Sequence, residues 1–318
     1  MNKTHFKQLG IAAMLIGSIF ATAETSSATE QATLPGRMLF PEGVAVDKQG
    51  GLYVGSLTKG RILYLEPGSH KASVFIRDGS NGLMSVAGMV VSSDGGTLYA
   101  CNSDLGVSDF KGASRPGLVS FDIKSGSFGG RWEFPDGGLC NDLALTPDGT
   151  LLMTDSFKPR ILALKPHAKS LSLWSKDARF FTEKGFNLNG ITWNRQGVFV
   201  VKYNTNELFR IVMKQDGSAG SVDQITLSRP LGGPDGIKTL ASGKLLVVEG
   251  KTGTLATIRV DKLNGKVRTV GKGLNVPTTA AVFGNTAYVV EGQLDHLPFP
   301  GAKVGLPDAF MLKAITLP

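Results

Sequence analysis

Short apolar runs alternate with turns rich in Asp and Gly along almost the whole chain. In the first copy, a run at 43–47 is joined by a turn at 48–51 to a second run at 52–55, and a third run follows at 61–65. Runs of this length between Gly and Asp residues predict β-strands joined by tight hairpins, because glycine tolerates positive φ. Similar copies begin at Gly88, Asp142, Gly190, Gly236 and Thr279.

The spacing of these copies predicts the architecture. The six starts are separated by 45, 54, 48, 46 and 43 residues. Repeats of about 40–50 residues with about four strands each are typical of β-propeller blades, which close into a ring. We therefore predict an all-β chain that forms one six-bladed β-propeller domain over residues 33–318. A strand at about 33–40 is expected to pair with a C-terminal strand at 310–317 and close the ring.

The first residues have the pattern of an export signal. Lys3 and Lys7 precede an apolar run at 9–20, and the small residues Ala21 and Ala23 follow it. This pattern is typical of a cleaved signal peptide, and the apolar run is too short to span a membrane as a helix. We predict a signal peptide at 1–23, a flexible segment at 24–32, and a periplasmic or secreted protein.

Composition and charge narrow the classes of partner. The 318 residues include 41 glycines and carry a formal net charge of +8, with the basic residues scattered along the chain. A nucleic-acid surface would need clustered basic residues and interleaved aromatics, so we expect no nucleic-acid ligand. We also expect no membrane-spanning segment in the mature chain. Two alternatives stay open for Cys101 and Cys140: a disulfide between neighbouring blades, or two buried thiols.

A column of polar residues stands immediately before the repeated strands. The innermost strands of a propeller begin at one mouth of the central tunnel, so the residues before them face a common point. The six positions are Glu42, Ala87, Asn141, Asn189, Asp235 and Thr278. Carboxylate and amide oxygens suit a hard divalent cation, and the absence of Cys and His from the column argues against zinc and copper. We predict a divalent cation here, with Ca²⁺ as the expected ion; the alternative is that Asn and Asp only cap turns.

At these residues the sequence resembles the senescence marker protein/gluconolactonase (regucalcin-like) superfamily. Its members are six-bladed, calcium-dependent propellers related to the paraoxonases and diisopropylfluorophosphatase. The matching segments are Pro41-Glu42-Gly43, Asn141-Asp142-Leu143-Ala144, Asn189-Gly190-Ile191-Thr192-Trp193 and Pro234-Asp235-Gly236. The resemblance implies that Glu42, Asn141, Asn189 and Asp235 bind the metal, with Asn141 contacting the metal or the substrate. It also implies a lactonase- or esterase-type hydrolase, acting on a lactone, a related ester or a phosphotriester.

The resemblance makes Asp235 and Asn141 the candidate catalytic residues. A cation that holds a substrate carbonyl oxygen stabilises the negative charge that develops as water attacks. Asp235 would be both a ligand and a base or nucleophile, and the cation should lower its pKa and keep it ionised.

A second ring of polar residues ends the second strands at the same mouth. These residues are Asn102, Asp155, Lys202, Glu249 and Glu291. We predict that Asp155, Lys202, Glu249 and Glu291 bind the small-molecule substrate, with Lys202 clamping an anionic group. The alternative is that strand ends at a wet mouth are simply polar.

Two positions depart from the family pattern. Leu139 stands where sugar-lactone members have an Arg, which favours a more apolar substrate. Ala87 stands where paraoxonases have a His, so a rim residue such as His296 is the remaining histidine candidate for the base. Two other classes stay open: a non-catalytic propeller that binds a ligand or a protein partner and keeps a structural metal, and a metal-free enzyme resembling strictosidine synthase with a single catalytic Glu such as Glu291.

Overall fold

Six small sheets form a ring in the computed structural model, which describes Met1 and residues 26–299 and 301–318. Apart from Met1, the predicted signal peptide lies outside the described residues. The innermost strands contact one another in cyclic order, and the last contacts the first. Helix in the described residues is confined to 3-10 turns at Ser80–Gly82, Ala178–Phe180 and Leu294–His296. The predicted all-β, six-bladed propeller is confirmed.

Two short strands, β1 (Ser26–Ser27) and β2 (Thr29–Leu34), precede the first blade. Each blade is an antiparallel sheet of four main strands, ordered from the tunnel outwards. Blade 1 comprises β3 (Pro41–Val46), β4 (Leu52–Ser56), β5 (Ile62–Leu65) and β6 (Ser73–Ile76). Blade 2 comprises β7 (Ser85–Val91), β8 (Thr97–Ser103), β9 (Gly117–Asp122) and β10 (Phe128–Glu133). Blade 3 comprises β11 (Cys140–Leu145), β12 (Leu151–Asp155), β13 (Arg160–Leu164) and β14 (Ser172–Lys176).

The other three blades follow the same plan, with additions at the outer edges. Blade 4 comprises β15 (Leu188–Asn194), β16 (Gly197–Lys202), β17 (Glu207–Met213) and β18 (Ala219–Gln224). The short β19 (Thr226–Leu227) precedes blade 5, which comprises β20 (Pro234–Thr239), β21 (Leu245–Glu249), β22 (Thr254–Asp261) and β23 (Asn264–Lys272). Both β19 and β1 pair in parallel with β23. Blade 6 comprises β24 (Pro277–Phe283), β25 (Thr286–Glu291), β26 (Phe310–Thr316) and the N-terminal β2.

The two chain ends close the ring, as predicted, through antiparallel pairing of β2 with β26. The closing strand is Thr29–Leu34 rather than 33–40, so it occupies part of the segment at 24–32 that was expected to be flexible. Ala32 and Leu34 are buried, whereas Thr33 between them is exposed. The polar outward face of this strand explains why its composition resembles that of a loop.

Apolar layers between neighbouring blades hold the ring together. One cluster joins blades 1 and 2 through Tyr53, Val86 and Phe121, and an equivalent cluster joins blades 3 and 4 through Ile161, Ile191 and Phe209. A disulfide between Cys101 and Cys140 adds a covalent link from blade 2 to blade 3, with the Cα atoms 5.2 Å apart. Of the two alternatives for the cysteines, the disulfide is therefore the one observed.

Candidate metal centre

Every innermost strand has a β-bulge at the position predicted to face the cation. In blade 1, Pro41 pairs with Ser56 and Val44 with Val54, so one extra residue lies between the two pairs. The same one-residue shift occurs in the other five innermost strands. A bulge bends its strand and re-aims a side chain. Six bulges at equivalent positions therefore turn the predicted column of residues towards the tunnel.

The second residue of the bulge is a glycine in four blades because neighbouring bulges approach closely. A Cβ atom at Gly43 would overlap the carbonyl group of Ala87, and one at Gly190 would overlap that of Asp235. The remaining two positions are Asp142 and Thr279, whose side chains pack against glycines of adjacent bulges. The absence of a side chain at the four glycines thus lets the strands that carry the predicted ligands converge.

The structure brings the four predicted ligands together at one end of the tunnel. Glu42, Asn141, Asn189 and Asp235 line a cavity of about 430 Å³ at the mouth where the innermost strands begin, which we call the upper cavity. All four residues are at most 7% exposed. The apolar wall of the upper cavity consists of Leu57, Ala87, Leu105, Leu139, Phe186, Val276, Leu294 and Phe299.

Three of these four side chains have a buried oxygen with no hydrogen-bond partner. The atoms are Oε2 of Glu42, Oδ1 of Asn141 and Oδ1 of Asp235. A buried polar atom left unpaired costs about 1–3 kcal/mol, so such atoms are rare in native proteins. Asp295, which also lines the cavity, has an unpartnered Oδ1 as well, and the three such oxygens on the predicted ligands are of the kind expected to bind a cation.

The electrostatics of the two carboxylates also fit a cation. Burial raises the pKa of Glu42 well above its usual range, the charges of Asp235 and Asp142 raise it further, and Lys238 opposes them. Burial likewise raises the pKa of Asp235; the charge of Asp142 adds to this, and a hydrogen bond from Asn189 opposes it. A divalent cation would favour the ionised form of both groups. A cation would thus oppose the rise in the pKa of Asp235 and favour its predicted ionised form.

The donor set is that of a hard cation. Among residues 26–299 and 301–318, no group of three or more His, Cys, Asp or Glu side chains is arranged to hold a metal. A site in the upper cavity must therefore use the amide oxygens of Asn141 and Asn189 beside the two carboxylates. Two carboxylates and two amides supply oxygen ligands and balance the charge of Ca²⁺.

The second ring is buried and anchors loops. Asp155 accepts a hydrogen bond from the Leu139 amide at 2.9 Å and pairs with Arg160 at 2.9 Å. Glu249 accepts two hydrogen bonds from Arg229, at 2.7 and 2.8 Å. A further hydrogen bond to Glu249 comes from the amide of Gly232 at 2.8 Å.

The other three members of the second ring make equivalent contacts. Lys202 donates to the carbonyl oxygen of Arg179 at 2.9 Å. Oε1 of Glu291 accepts from the Asn275 amide at 2.8 Å, and Oδ1 of Asn102 accepts from the Met84 amide at 2.7 Å. In all five blades the partner lies on the segment that leads into the innermost strand of the same blade. The second ring therefore holds that segment in place.

The structure does not bring the second ring to the upper cavity. The described residues that line this part of the cavity come instead just after members of the second ring in the sequence. They are Ser103, Tyr203, Gly250 and Lys251. Substrate binding by Asp155, Lys202, Glu249 and Glu291 stays a prediction. His296 is also outside this wall, and its Nδ1 hydrogen-bonds with the carbonyl of Gly305 at 2.9 Å.

Sequence reasoning missed a tyrosine and a lysine at the wall. Burial raises the pKa of Tyr203 to about 12, with the charge of Asp235 adding to the effect, so its phenol is neutral at pH 7. The Nζ atom of Lys251 lies 5.0 Å from the centre of the Tyr203 ring, within the range of a cation–π contact. Their position directly after the second ring is the sequence signal that could have identified them.

Aromatic side chains extend the apolar wall towards the surface. The Phe186 ring stacks on Phe157 with centroids 5.9 Å apart and meets the edge of Phe299 at 6.1 Å. Because Phe186 and Phe299 come from segments before blade 4 and after β25, these contacts cross part of the mouth.

Comparisons with known proteins agree with this fold. The strictosidine synthase-like N-terminal family model matches residues 27–65. No curated protein matches the sequence. The chain is similar to the solved structure of a gluconolactonase from Xanthomonas campestris, with 18% identity, a TM-score of 0.63, and coverage of 91% of this chain and 87% of that one.

Two further solved structures are similar to the same extent. A luciferin-regenerating enzyme has 15% identity and a TM-score of 0.64, with 90% of this chain and 92% of that one covered. The major allergen Mala s 1 of Malassezia sympodialis has 15% identity and a TM-score of 0.65, with 87% and 93% covered. These likenesses confirm, at the level of the fold, the resemblance to gluconolactonase-like six-bladed propellers.

Proposed function

We propose that this chain is an exported hydrolase of lactones or related esters that depends on a divalent cation, with calcium as the expected ion. The observation that carries the proposal is the set of buried, unpartnered oxygens of Glu42, Asn141 and Asp235. The likeness to a gluconolactonase supports a lactonase-like reaction on this fold. Fold alone does not set chemistry, so the proposal rests on the site.

Calcium bound at these oxygens would polarise the carbonyl group of the substrate and stabilise the negative charge on its oxygen. Asp235 would accept the proton of an attacking water, and its buried, unpartnered Oδ1 supports this role. Addition of that water to the carbonyl carbon is followed by cleavage of the bond to the alcohol oxygen, which then takes up a proton. The neutral phenol of Tyr203 lines the same cavity and is a candidate donor for that proton. Asn141 would orient the carbonyl group through its amide.

The cavity favours an apolar substrate. Its wall is formed largely by aliphatic and aromatic residues, and Leu139 is part of that wall. A polyhydroxylated sugar lactone would leave many hydroxyl groups without partners against such a wall. We therefore propose a lactone or ester with an apolar acyl or ring portion, of a size that fits about 430 Å³.

An oxidising compartment agrees with the proposed export. The pattern of residues 1–23 is that of a signal peptide, and the Cys101–Cys140 disulfide is of a kind that persists outside the cytosol. No helix among the described residues has the length and hydropathy needed to cross a bilayer.

A binding propeller with a structural metal is the second candidate. Phe157 is 46% exposed and Phe181 is 37% exposed, and Phe157 stacks on a residue of the cavity wall. Exposed aromatic side chains at a mouth suit the capture of a ligand or a partner protein. On this alternative, the cation would hold the ring of bulges together without taking part in a reaction.

Thermal unfolding with EDTA and with added Ca²⁺ tests the metal, using wild type, Asp235→Ala and the control Asp216→Asn in an exposed turn. A ligand at 100 times its Kd stabilises the folded state by about 2.7 kcal/mol. We expect a calcium-dependent rise in Tm in wild type and the control, lost in Asp235→Ala. No rise with any divalent ion would overturn the metal-dependent hydrolase.

Hydrolysis assays then separate the two candidate functions. Calcium-loaded wild type should hydrolyse an apolar lactone faster than a sugar lactone, and Asp235→Ala should not hydrolyse either. A calcium response without hydrolysis of any lactone or ester would favour the binding propeller.

A further inference from the structure

An ion pair crosses the tunnel next to the predicted metal ligands. Nζ of Lys238, on β20 of blade 5, lies 3.2 and 3.4 Å from the two carboxylate oxygens of Asp142, on β11 of blade 3. Because blade 4 separates these two blades, the pair spans the tunnel instead of joining adjacent strands. Asp142 directly follows the predicted ligand Asn141 in the bulge.

The position of Asp142 is tightly defined. Its carboxylate accepts hydrogen bonds from the amides of Leu143 at 2.8 Å and Ile191 at 3.2 Å. It also packs against Gly88 so closely that a Cβ atom there would overlap it. Asp142 is only 4% exposed, so its charge is largely removed from water.

Lys238 approaches from the opposite end of the tunnel. It lines a second cavity, of about 320 Å³, whose other walls include Val44, Val90 and Leu145; we call this the lower cavity. An ammonium group against apolar walls is retained only where a partner compensates its desolvation. That partner is Asp142, one residue away from the upper cavity.

The charges in the tunnel balance with one divalent cation. The charged groups that act on Glu42 are Asp235, Asp142 and Lys238. With Glu42 itself, three carboxylates and one ammonium give a formal charge of −2, which one divalent ion neutralises. Without Lys238 the same set would keep an excess negative charge after binding that ion.

We propose that Lys238 is a positioning residue that sets the affinity of the metal centre. Its ammonium group, held on Asp142 across the tunnel, offsets one negative charge beside the predicted ligands. This lowers the affinity of the site for cations, so that a single ion binds and can exchange. This inference rests on the metal site of the proposed function. A purely structural tie between blades 3 and 5 is the competing explanation, and it would affect the protein equally with and without metal.

Calorimetric titration with Ca²⁺ distinguishes the two explanations, using Lys238→Met, Asp142→Asn and the double variant. We expect Lys238→Met to bind Ca²⁺ at least about tenfold more tightly, because the variant lacks a full positive charge close to a divalent ion inside the protein. Asp142→Asn should bind about tenfold more weakly. The double variant, which removes both charges, should return towards the wild-type affinity. Lys266→Met, at an exposed position on β23 of blade 5, is the matched control and should not change the affinity.

Thermal unfolding of the same proteins gives a second readout. Lys238→Met should have a lower Tm in EDTA and a larger rise with Ca²⁺ than wild type, because the cation relieves more repulsion. An equal loss of Tm in both conditions with unchanged Kd would overturn the inference alone. If Lys238→Met does not fold, Asp142→Asn and the double variant still decide the question.

The remaining outcomes separate this inference from the proposed function. Wild type that binds no divalent ion, while Lys238→Met binds one, would remove the metal from the proposed function but support the role of Lys238. Absence of binding in both proteins would overturn both proposals.

Discussion

Two rings of polar side chains surround the same mouth of the propeller, and they differ in how their polar atoms are paired. The first ring contains Glu42, Asn141, Asn189 and Asp235, and three of its four members have a buried oxygen without a partner. Each member of the second ring has hydrogen bonds that fix it to a neighbouring segment, as in the contacts of Asp155 with Leu139 and Arg160. Both rings are buried and rich in acidic residues.

The contrast teaches that burial and residue type do not separate a functional site from a structural one. A buried carboxylate whose oxygens are all paired stabilises its surroundings, whereas the ionised form of one left unpaired has a cost that a bound cation can offset. The second ring thus has the chemistry of an anchor, whereas the first ring has the unpaired oxygens that the proposed binding site requires. Removing the paired charge of Asp155 and the unpaired charge of Asp235 should therefore have opposite effects on stability.

The largest expected effect is on stability in the second ring. Asp155→Asn removes the charge that pairs with Arg160, whose side chain is 11% exposed. Loss of one partner of a buried ion pair costs about 3–5 kcal/mol when the other charge is left alone. We expect about 2 kcal/mol here, because Asn keeps one acceptor and Arg160 keeps its ion pair with Asp136 at 3.1 Å. The free energy of unfolding from urea titration in EDTA measures this. A loss below about 1 kcal/mol would show that the pair is not an anchor.

The matched change in the first ring should act in the opposite direction. Asp235→Asn removes a carboxyl group whose pKa burial and Asp142 raise, so its ionised form opposes folding in the absence of metal. In EDTA at pH 8 we expect the free energy of unfolding to be unchanged or raised by about 1 kcal/mol. With saturating Ca²⁺ the variant should instead be less stable than wild type. A clear loss of stability in EDTA would place Asp235 among the anchors and break the comparison.

The pH dependence of stability should differ between two members of the second ring. Burial alone would raise the pKa of Glu249, but hydrogen bonds from Arg229, the Gly232 amide and Thr254 outweigh it and lower the pKa below the ordinary 4.5. A lowered pKa contributes stability above the unfolded value, and this is lost as the pH falls through the folded value. Glu249→Gln should therefore cost roughly 1 kcal/mol at pH 7, since Arg229 is partly exposed, and progressively less below pH 4.5.

Glu291 provides the contrasting case. Burial raises its pKa above 4.5, with the Asn275 amide and Lys313 opposing the effect. A raised acid pKa reduces stability at neutral pH, and that stability is regained as the pH falls through the folded value. Glu291→Gln should thus be neutral or stabilising at pH 7, because the Gln carbonyl oxygen can still accept the hydrogen bond from the Asn275 amide. Parallel pH profiles for the two Gln variants would contradict this difference.

The repeat spacing and the column were predictable from the sequence because both recur. Each blade needs its own polar turn, so Asp and Gly reappear at nearly constant intervals, as at Asp47–Gly50 and Asp148–Gly149. The first ring was predicted through the same repetition, since each predicted ligand stands at the start of an innermost strand. The six bulges that aim these side chains were not predicted, because the glycine found in four of them is equally common in turns and hairpins.

The orientation of the second ring could not be predicted in the same way. A strand with one exposed face shows alternating polarity, which reveals the direction of each side chain. In this propeller the second strands β4, β12 and β21 are buried at every position because blades cover both faces. No alternation remains to show that Lys202 faces the blade while Tyr203 faces the cavity. Tertiary packing therefore decides whether the second-ring residue or the residue after it lines the upper cavity.

The smallest expected effect concerns the rim of the upper cavity, where neither ring contributes. Lys251 is exposed and lies over the Tyr203 ring, so its contribution to stability should be within about 0.5–1 kcal/mol. Its charge should instead favour substrates with an anionic group. Lys251→Met is expected to raise the KM of a carboxylate-bearing ester several-fold while leaving that of its neutral methyl ester unchanged. Lys272→Met, exposed on β23, is the control.

Tyr203→Phe keeps a ring under the ammonium group of Lys251 and should preserve the preference for the anionic ester, whereas Tyr203→Leu should weaken it. Equal changes in KM for both esters would show that Lys251 acts only on the shape of the rim.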